Sequence, residues 1–278
     1  MLGATLLFSG MNAAAKGLGT GYSALQLVFF RNLFGLLPLG LVLMRRGSLA
    51  DLKTRHPLGH MLRAVAGLVS LGCYFYAFPR LPLVTVVAIS FAAPLFVAAL
   101  SWPMLGERVG ARRLAAIGFG FSGVLVILRP SAAGLDPSIV VAVIATLLYA
   151  LVMIFMRQLN RTETPAAIVF YYLASSVALS GITLPALWVT PGPQGWMLFA
   201  ALGLFGGLAQ LLMTTAFRHG DAALVAPFDY ATVLWATLIG WLLWGEWPGP
   251  HLWLGGAITV GSGFYLTHLE GRRRRDRI

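Results

Sequence analysis

The stretch AFPRLPLVTVVAISFAAPLFVAALSWPMLGER, residues 77–108, aligns without a gap on AFRHGDAALVAPFDYATVLWATLIGWLLWGEW, residues 216–247. Gly106 and Glu107 fall on Gly245 and Glu246. From Ala77 to Ala216 is 139 residues, half of the 278 in the chain, so the sequence writes one unit twice. Solenoid repeats run to about 20–50 residues. A period this long points instead to two fused copies of one membrane unit.

Composition identifies the solvent. The chain is 58% hydrophobic and only 10% charged, with a mean hydropathy of +0.81. A soluble domain carries about 25% charged residues, so these values exclude one. A bilayer core about 30 Å thick needs roughly 20 apolar residues per helix, and lipid leaves backbone groups no partner outside the segment. The alternating segments of a barrel are absent. The predicted fold is therefore an all-α integral membrane protein with ten transmembrane helices, near residues 1–15, 22–44, 60–78, 82–104, 111–129, 137–157, 164–188, 194–217, 222–244 and 250–269. Pro, Gly and charge mark the breaks, as at Arg45-Arg46-Gly47, Pro79-Arg80-Leu81-Pro82, Pro191-Gly192-Pro193 and Pro248-Gly249-Pro250. No predicted connection leaves room for a soluble catalytic domain.

Positive residues stay cytoplasmic in short loops. Alternate connections carry Arg45, Arg46, Lys53 and Arg55, then Arg108, Arg112 and Arg113, then Arg157 and Arg161, then Arg218, then Arg272 to Arg275 and Arg277. The other side holds Lys16, Arg80 and Arg129. With an even span count this asymmetry places both termini in the cytoplasm. It also accounts for the +11 net charge without nucleic acid, because the charge is spread over loops between lipid-facing helices. Cys73 is the single cysteine, which rules out a disulfide within the chain. The first span has no charged start and no cleavage site, so a signal peptide is not expected, and its shortness favours a stretch missing upstream over a helix that is tilted or covered by neighbours.

Five helices per copy is an odd number, so the second copy enters the membrane from the opposite side. The expected architecture is two inverted five-helix repeats, residues 1–135 and 136–278, the second ending in a basic cytoplasmic tail. Inverted repeats are the common build of secondary transporters, with substrate near the midplane. The stretches LVFFRNLFGLLPL (27–39), HMLRAVAGLVSLGCYFYAF (60–78), VVAISFAAPLFVAALSWPMLGER (86–108), GFGFSGVLVILRP (118–130) and DAALVAPFDYATVLWATLIGWLLWGEWP (221–248) resemble the drug/metabolite transporter superfamily, EamA type. Within it they are most similar to S-adenosylmethionine carriers and next to riboflavin importers. The resemblance implies a secondary carrier in a bacterial inner membrane, moving a charged or zwitterionic nitrogenous or aromatic metabolite such as S-adenosylmethionine. Riboflavin or an amino-acid-like metabolite is the alternative. The implied partners are a small-molecule substrate and the lipid bilayer, with no nucleic acid, no cofactor and no metal, in a monomer or homodimer.

Other motifs have plainer readings. Glu107 and Glu246 each follow a helix-breaking glycine and are expected to complement the positive start of the next helix. Gly118 to Gly123 spells a dinucleotide fingerprint, yet lies inside an apolar span with no strand before it, so helix packing explains it. Gly203 with Gly207, and Gly256, Gly261 and Gly263, are read the same way. No HExxH, GxSxG or GxxxxGK[ST] occurs, so a non-enzyme without its own ATP drive is expected.

The candidate site rests on polar residues inside spans. Arg31 and Asp229 each cost roughly 2.5–3.5 kcal/mol on insertion near the bilayer centre. They are either a buried ion pair or anchors for a charged substrate. By repeat alignment Asp229 falls on Ser90 and Tyr230 on Phe91. Tyr74, Tyr76, Tyr149, Tyr171, Tyr172 and Trp235 offer ring faces for a heterocycle or a cation, and Asn12, Gln210 and Thr214 add polar contacts. Pro94 and Pro227 are expected to permit kinks in spans four and nine.

Overall fold

A computed structural model describes residues 1–46, 52–105, 111–128, 136–160, 162–219 and 231–275. Asp229, Tyr230, Pro227 and Glu107 lie outside these residues. The described chain is helical without a strand: α1 Leu2–Gly17, α2 Ala24–Arg46, α3 Pro57–Ala77, α4 Leu83–Ser90, α5 Ala93–Leu105, α6 Ala111–Leu128, α7 Pro137–Leu159, α8 Pro165–Leu187, α9 Pro193–His219, α10 Ala231–Trp244 and α11 Pro250–Arg275. Proline opens α3, α7, α8, α9 and α11, where its missing N–H costs nothing. Asp136 caps α7 by accepting from the Ser138 amide at 2.7 Å, and Thr164 caps α8 by accepting from the Ala167 amide at 3.1 Å.

Six stretches are long and apolar enough to span a bilayer: Ala24–Met44, Pro57–Ala77, Leu83–Leu100, Pro137–Leu159, Pro165–Leu187 and Pro193–Met213. The apolar parts of α6 and α10 are shorter, Leu114–Ile127 and Ala231–Trp244, and α1 has 16 residues. Helix α11 runs beyond the predicted end at 269 into the arginine tail.

Predicted span four is two helices. Pro94 has no N–H to continue the ladder, and the Phe91 and Ala92 amides turn back to Ala88 O at 3.3 Å and Ile89 O at 3.0 Å. The chain is thereby broken between α4 and α5, where an unwound membrane segment needs protein around it.

Helix limits recur at the 139-residue offset: α3 maps to 196–216 inside α9, α5 to 232–244 within α10, and α1 to 141–156 inside α7. Helix contacts pair across the halves, with α6 on α11, α3 on α7 and α1 on α9, α2 on α9 and α3 on α8, and α2 on α8. Glycines permit the closest of these. A Cβ on Gly203 would meet Phe34 Cβ, and one on Gly207 would lie 3.0 Å from Gly35 Cα. Of the fingerprint-like glycines, Gly120 and Gly123 serve packing as expected, a Cβ on Gly123 standing 2.7 Å from Gly255 O, whereas Gly118 has open space around it. Gly256 and Gly261 depart from expectation, since open space surrounds both. Large apolar side chains cover the outside, among them Met44, Ile182, Met197 and Leu242, each more than 60% exposed. Such a surface suits lipid rather than water.

Candidate functional site

Arg31 is the eighth residue of α2 and is buried, 4% exposed. One Nη1 donates to Asn32 Oδ1 at 2.9 Å, and Asn32 in turn donates to Val28 O at 2.8 Å. The Arg31 Nε–H has no partner. Space for this head group comes from α9, where a Cβ on Gly206 would stand 2.9 Å from Nε and 2.8 Å from Met11 Sδ of α1. Helices α1, α2 and α9 therefore meet around one guanidinium.

A second buried arginine shares the site. Arg63, seventh in α3 and 4% exposed, donates from Nη1 to Ile168 O at 3.2 Å, and its Nε–H is also without a partner. Both guanidinium carbons lie over the Tyr172 ring of α8, Arg63 at 4.7 Å and Arg31 at 6.0 Å from the centroid. Gly67 makes room for that ring, because a Cβ there would stand 2.6 Å from Tyr172 Cε2. Arg31 and Tyr149 both act electrostatically on Arg63. Tyr172 is among the aromatic candidates of the sequence, whereas Arg63 and Asn32 were not legible as site residues: Arg63 stands three residues inside its predicted span, where arginines commonly reach the interface.

The remaining sequence candidates fall into separate places. Tyr149 joins the arginine cluster, and Gln210 stands one turn beyond Gly206 on the same face of α9. Asn12 of α1 is half-buried beside Met11. Trp235 of α10 donates from Nε1 to Thr5 Oγ1 at 3.2 Å, which ties α10 to α1. Ser90 donates back to Val87 O at 2.7 Å and Phe91 follows it, both at the α4–α5 break. Tyr76 stands apart: it is 38% exposed, with the Arg80 guanidinium 3.7 Å from its ring centroid. The two residues line a cavity of about 260 Å³ with Thr20, Tyr22 and Val189 at the C-terminal end of α3.

Two polar latches cross between the halves, one at each end of α3. Beyond its C-terminus, Lys16 of α1 forms an ion pair with Glu246 and donates to Leu81 O at 2.8 Å. Glu246 Oε2 also accepts from the Leu83 amide at 3.0 Å. The expectation that Glu246 complements the following helix is corrected here, since it caps α4 of the first half. Gly245, at φ +66°, supplies the left-handed turn that sends the carboxylate across. Near the N-terminus of α3, Glu163 Oε2 meets His60 Nε2 at 3.4 Å and Oε1 accepts from the Arg55 amide at 2.9 Å. Burial opposes the Glu163 charge, but the Arg55 amide, His60 and Thr54 outweigh it and hold the carboxyl below its ordinary value.

The model of the EamA-like transporter family matches residues 1–129 and again 136–267. A riboflavin transporter of Rhizobium johnstonii is 30% identical, over 84% of this chain and 77% of its own length. A pseudopaline exporter of Pseudomonas aeruginosa is 32% identical over 92% and 90%. An S-adenosylmethionine uptake transporter of Rickettsia prowazekii is 26% identical over 96% and 90%. One crystal structure, 22% identical, superposes with a TM-score of 0.66 over 98% of this chain and 96% of the other, a likeness of fold.

Proposed function

The chain belongs to the EamA-like transporter family, and from that premise we propose that it is a secondary carrier that moves a small metabolite across a bacterial inner membrane by alternating access. The two five-helix units, residues 1–135 and 136–278, are inverted repeats with both termini cytoplasmic. Helix limits that recur at one offset, and contacts that pair across the halves, support this reading. The latches at Lys16–Glu246 and His60–Glu163 then act as the outer and inner closures. Each must open in turn for access to alternate.

The observation that carries the proposal is a membrane-buried Arg31 with an unused N–H, at the meeting of α1, α2 and α9 and beside Tyr172. Such a group is costly in lipid and is kept where it handles a substrate. Arg31, Tyr149, Asn12 and Gln210 are proposed to face the substrate path. Asp229 and Tyr230, with Ser90, Phe91 and Trp235, would line its other wall, and Tyr76 would stand at the outer mouth.

The favoured substrate is a charged or zwitterionic nitrogenous or aromatic metabolite such as S-adenosylmethionine. Riboflavin is the second reading, on the strength of its named transporters among the relatives. Purified protein in proteoliposomes, loaded with unlabelled compound and offered the labelled one outside, should show saturable counterflow of one of these metabolites. Absence of counterflow for S-adenosylmethionine, riboflavin and amino acids alike would refute the substrate class, and uptake that never saturates would refute a carrier.

A further inference from the structure

We infer that Arg31 and Arg63 together form an oxyanion-binding site above Tyr172, so that the transported metabolite is held by a carboxylate or phosphate group. The inference rests on the carrier reading and narrows its substrate class.

Charge arithmetic makes the first part of the case. The spans bury two guanidinium groups, Arg31 and Arg63, each 4% exposed. Against them stands Asp229, the single carboxylate that the sequence places deep in a span. Lys16 has its own partner in Glu246, and among the described residues neither arginine has a carboxylate. Even with Asp229 against one arginine, the other stays uncompensated. A buried cation without a counter-ion is expensive, and two of them over one ring are more so. The Tyr172 ring and one acceptor each return only part of that cost.

Donor geometry makes the second part. A guanidinium has five N–H donors in a planar fork that matches a carboxylate or phosphate edge. Among the described residues one donor of each is committed to protein, Arg31 to Asn32 Oδ1 and Arg63 to Ile168 O, and both Nε–H groups are unused. The arginines come from adjacent helices and converge on one ring, at 6.0 and 4.7 Å from its centroid. An oxyanion bridging them would neutralise the excess and take up the free N–H groups in one step.

The site also has a logic for transport. Arg31 sits in α2 and Arg63 in α3, while Tyr172 sits in α8. Arg63 already holds α8 through Ile168 O, so an anion bridging the two arginines would tie α2 into that contact only when substrate is present, and lowering the repulsion between the arginines would favour the occluded form. Substrate and closure are thereby coupled through charge.

The experiment uses the full chain in detergent, with melting temperature as the readout, since a ligand of the folded state raises it. The probes are matched pairs: phenylalanine with phenylalaninamide, S-adenosylmethionine with its decarboxylated form, and riboflavin with riboflavin phosphate. At least one acid should raise the melting temperature while its partner without the acid group does not, and riboflavin against riboflavin phosphate is the pair whose control is uncharged. Response to an amino acid alone marks the group as a carboxylate, and response to riboflavin phosphate alone marks it as a phosphate. Arg63→Gln and Arg31→Gln should each weaken that binding by about tenfold or more, with Arg63→Lys retaining part of it. A ligand-free measurement makes the test independent of the probe set. Without ligand, Arg63→Gln should raise the melting temperature, because it removes an uncompensated buried charge. A fall in the ligand-free melting temperature that a second change, Asp229→Asn, restores would assign a structural ion pair and overturn the inference. So would partners without the acid group that bind as well as their acids. Either result would leave the carrier reading standing, whereas a probe that binds in detergent but shows no counterflow in vesicles would strike at the carrier reading alone.

Discussion

Glu246 shows how a single carboxylate can hold two halves of a membrane protein together. It pairs with Lys16 of α1 and accepts the Leu83 amide at the start of α4, so it answers a charge and an unsatisfied helix N-terminus at once. Lys16 is buried and also lies 5.3 Å above the Trp244 ring. Glu246→Gln should destabilise the protein by about 1–3 kcal/mol, because a buried ammonium is left with one carbonyl. Lys16→Met should cost a similar amount, and the double variant should recover much of the loss. Melting temperatures of the three variants test this, and an unchanged Glu246→Gln protein would remove the latch. A Gly-Glu pair after an apolar run could be seen in the sequence. That its carboxylate reaches residue 83 rather than residue 250 could not, since the Gly245 turn directs it through space.

At the level of helices, glycine acquires opposite meanings from its neighbours. Gly207 of α9 touches the backbone of α2 at Gly35, whereas Gly256 of α11 faces open space. Gly207→Ala should therefore push α9 from α2 and cost about 1–3 kcal/mol. Gly256→Ala should be neutral or stabilising by up to about 1 kcal/mol, from helix propensity alone. Equal losses of melting temperature in the two variants would contradict the packing described here. The α7–α8 connection carries the pH-dependent element. Glu163 has a folded pKa below its ordinary value. Its contribution is thus complete above the unfolded value and is lost as pH falls through the folded one. Stability should decline below about pH 4, and Glu163→Gln should flatten that decline while lowering stability at neutral pH. A variant with the wild-type acid profile would show that another group controls it.

For the whole molecule, the deciding quantity is the side of the membrane on which each loop lies. The arginine and lysine asymmetry predicts that reporters fused at residues 50, 110, 160, 219 and 278 read cytoplasmic, and those at 80, 132, 192 and 249 periplasmic. The two latches are consistent with that map in one respect: they sit at opposite ends of α3, a helix of 21 residues and so about 32 Å long. A periplasmic signal from the arginine tail would break the even span count and the inversion with it. The outer latch would then have to be reassigned.

Family, membrane embedding and the repeat were determined by the sequence itself, because hydropathy and positive charge act on each segment locally, before any helix meets another. Arg31 was legible for the same reason: a charge in the middle of an apolar run is anomalous wherever the run packs. The tertiary structure alone decided that Arg63 comes to the same ring, that this ring is Tyr172 and that Tyr76 stands apart beside Arg80. Those three facts depend on which face of α3 and α8 turns inward and on the slot that Gly67 leaves for a ring. Helical periodicity gives little guidance in lipid, where outward and inward faces are both apolar. Packing between helices from opposite halves therefore selects which polar groups share a site.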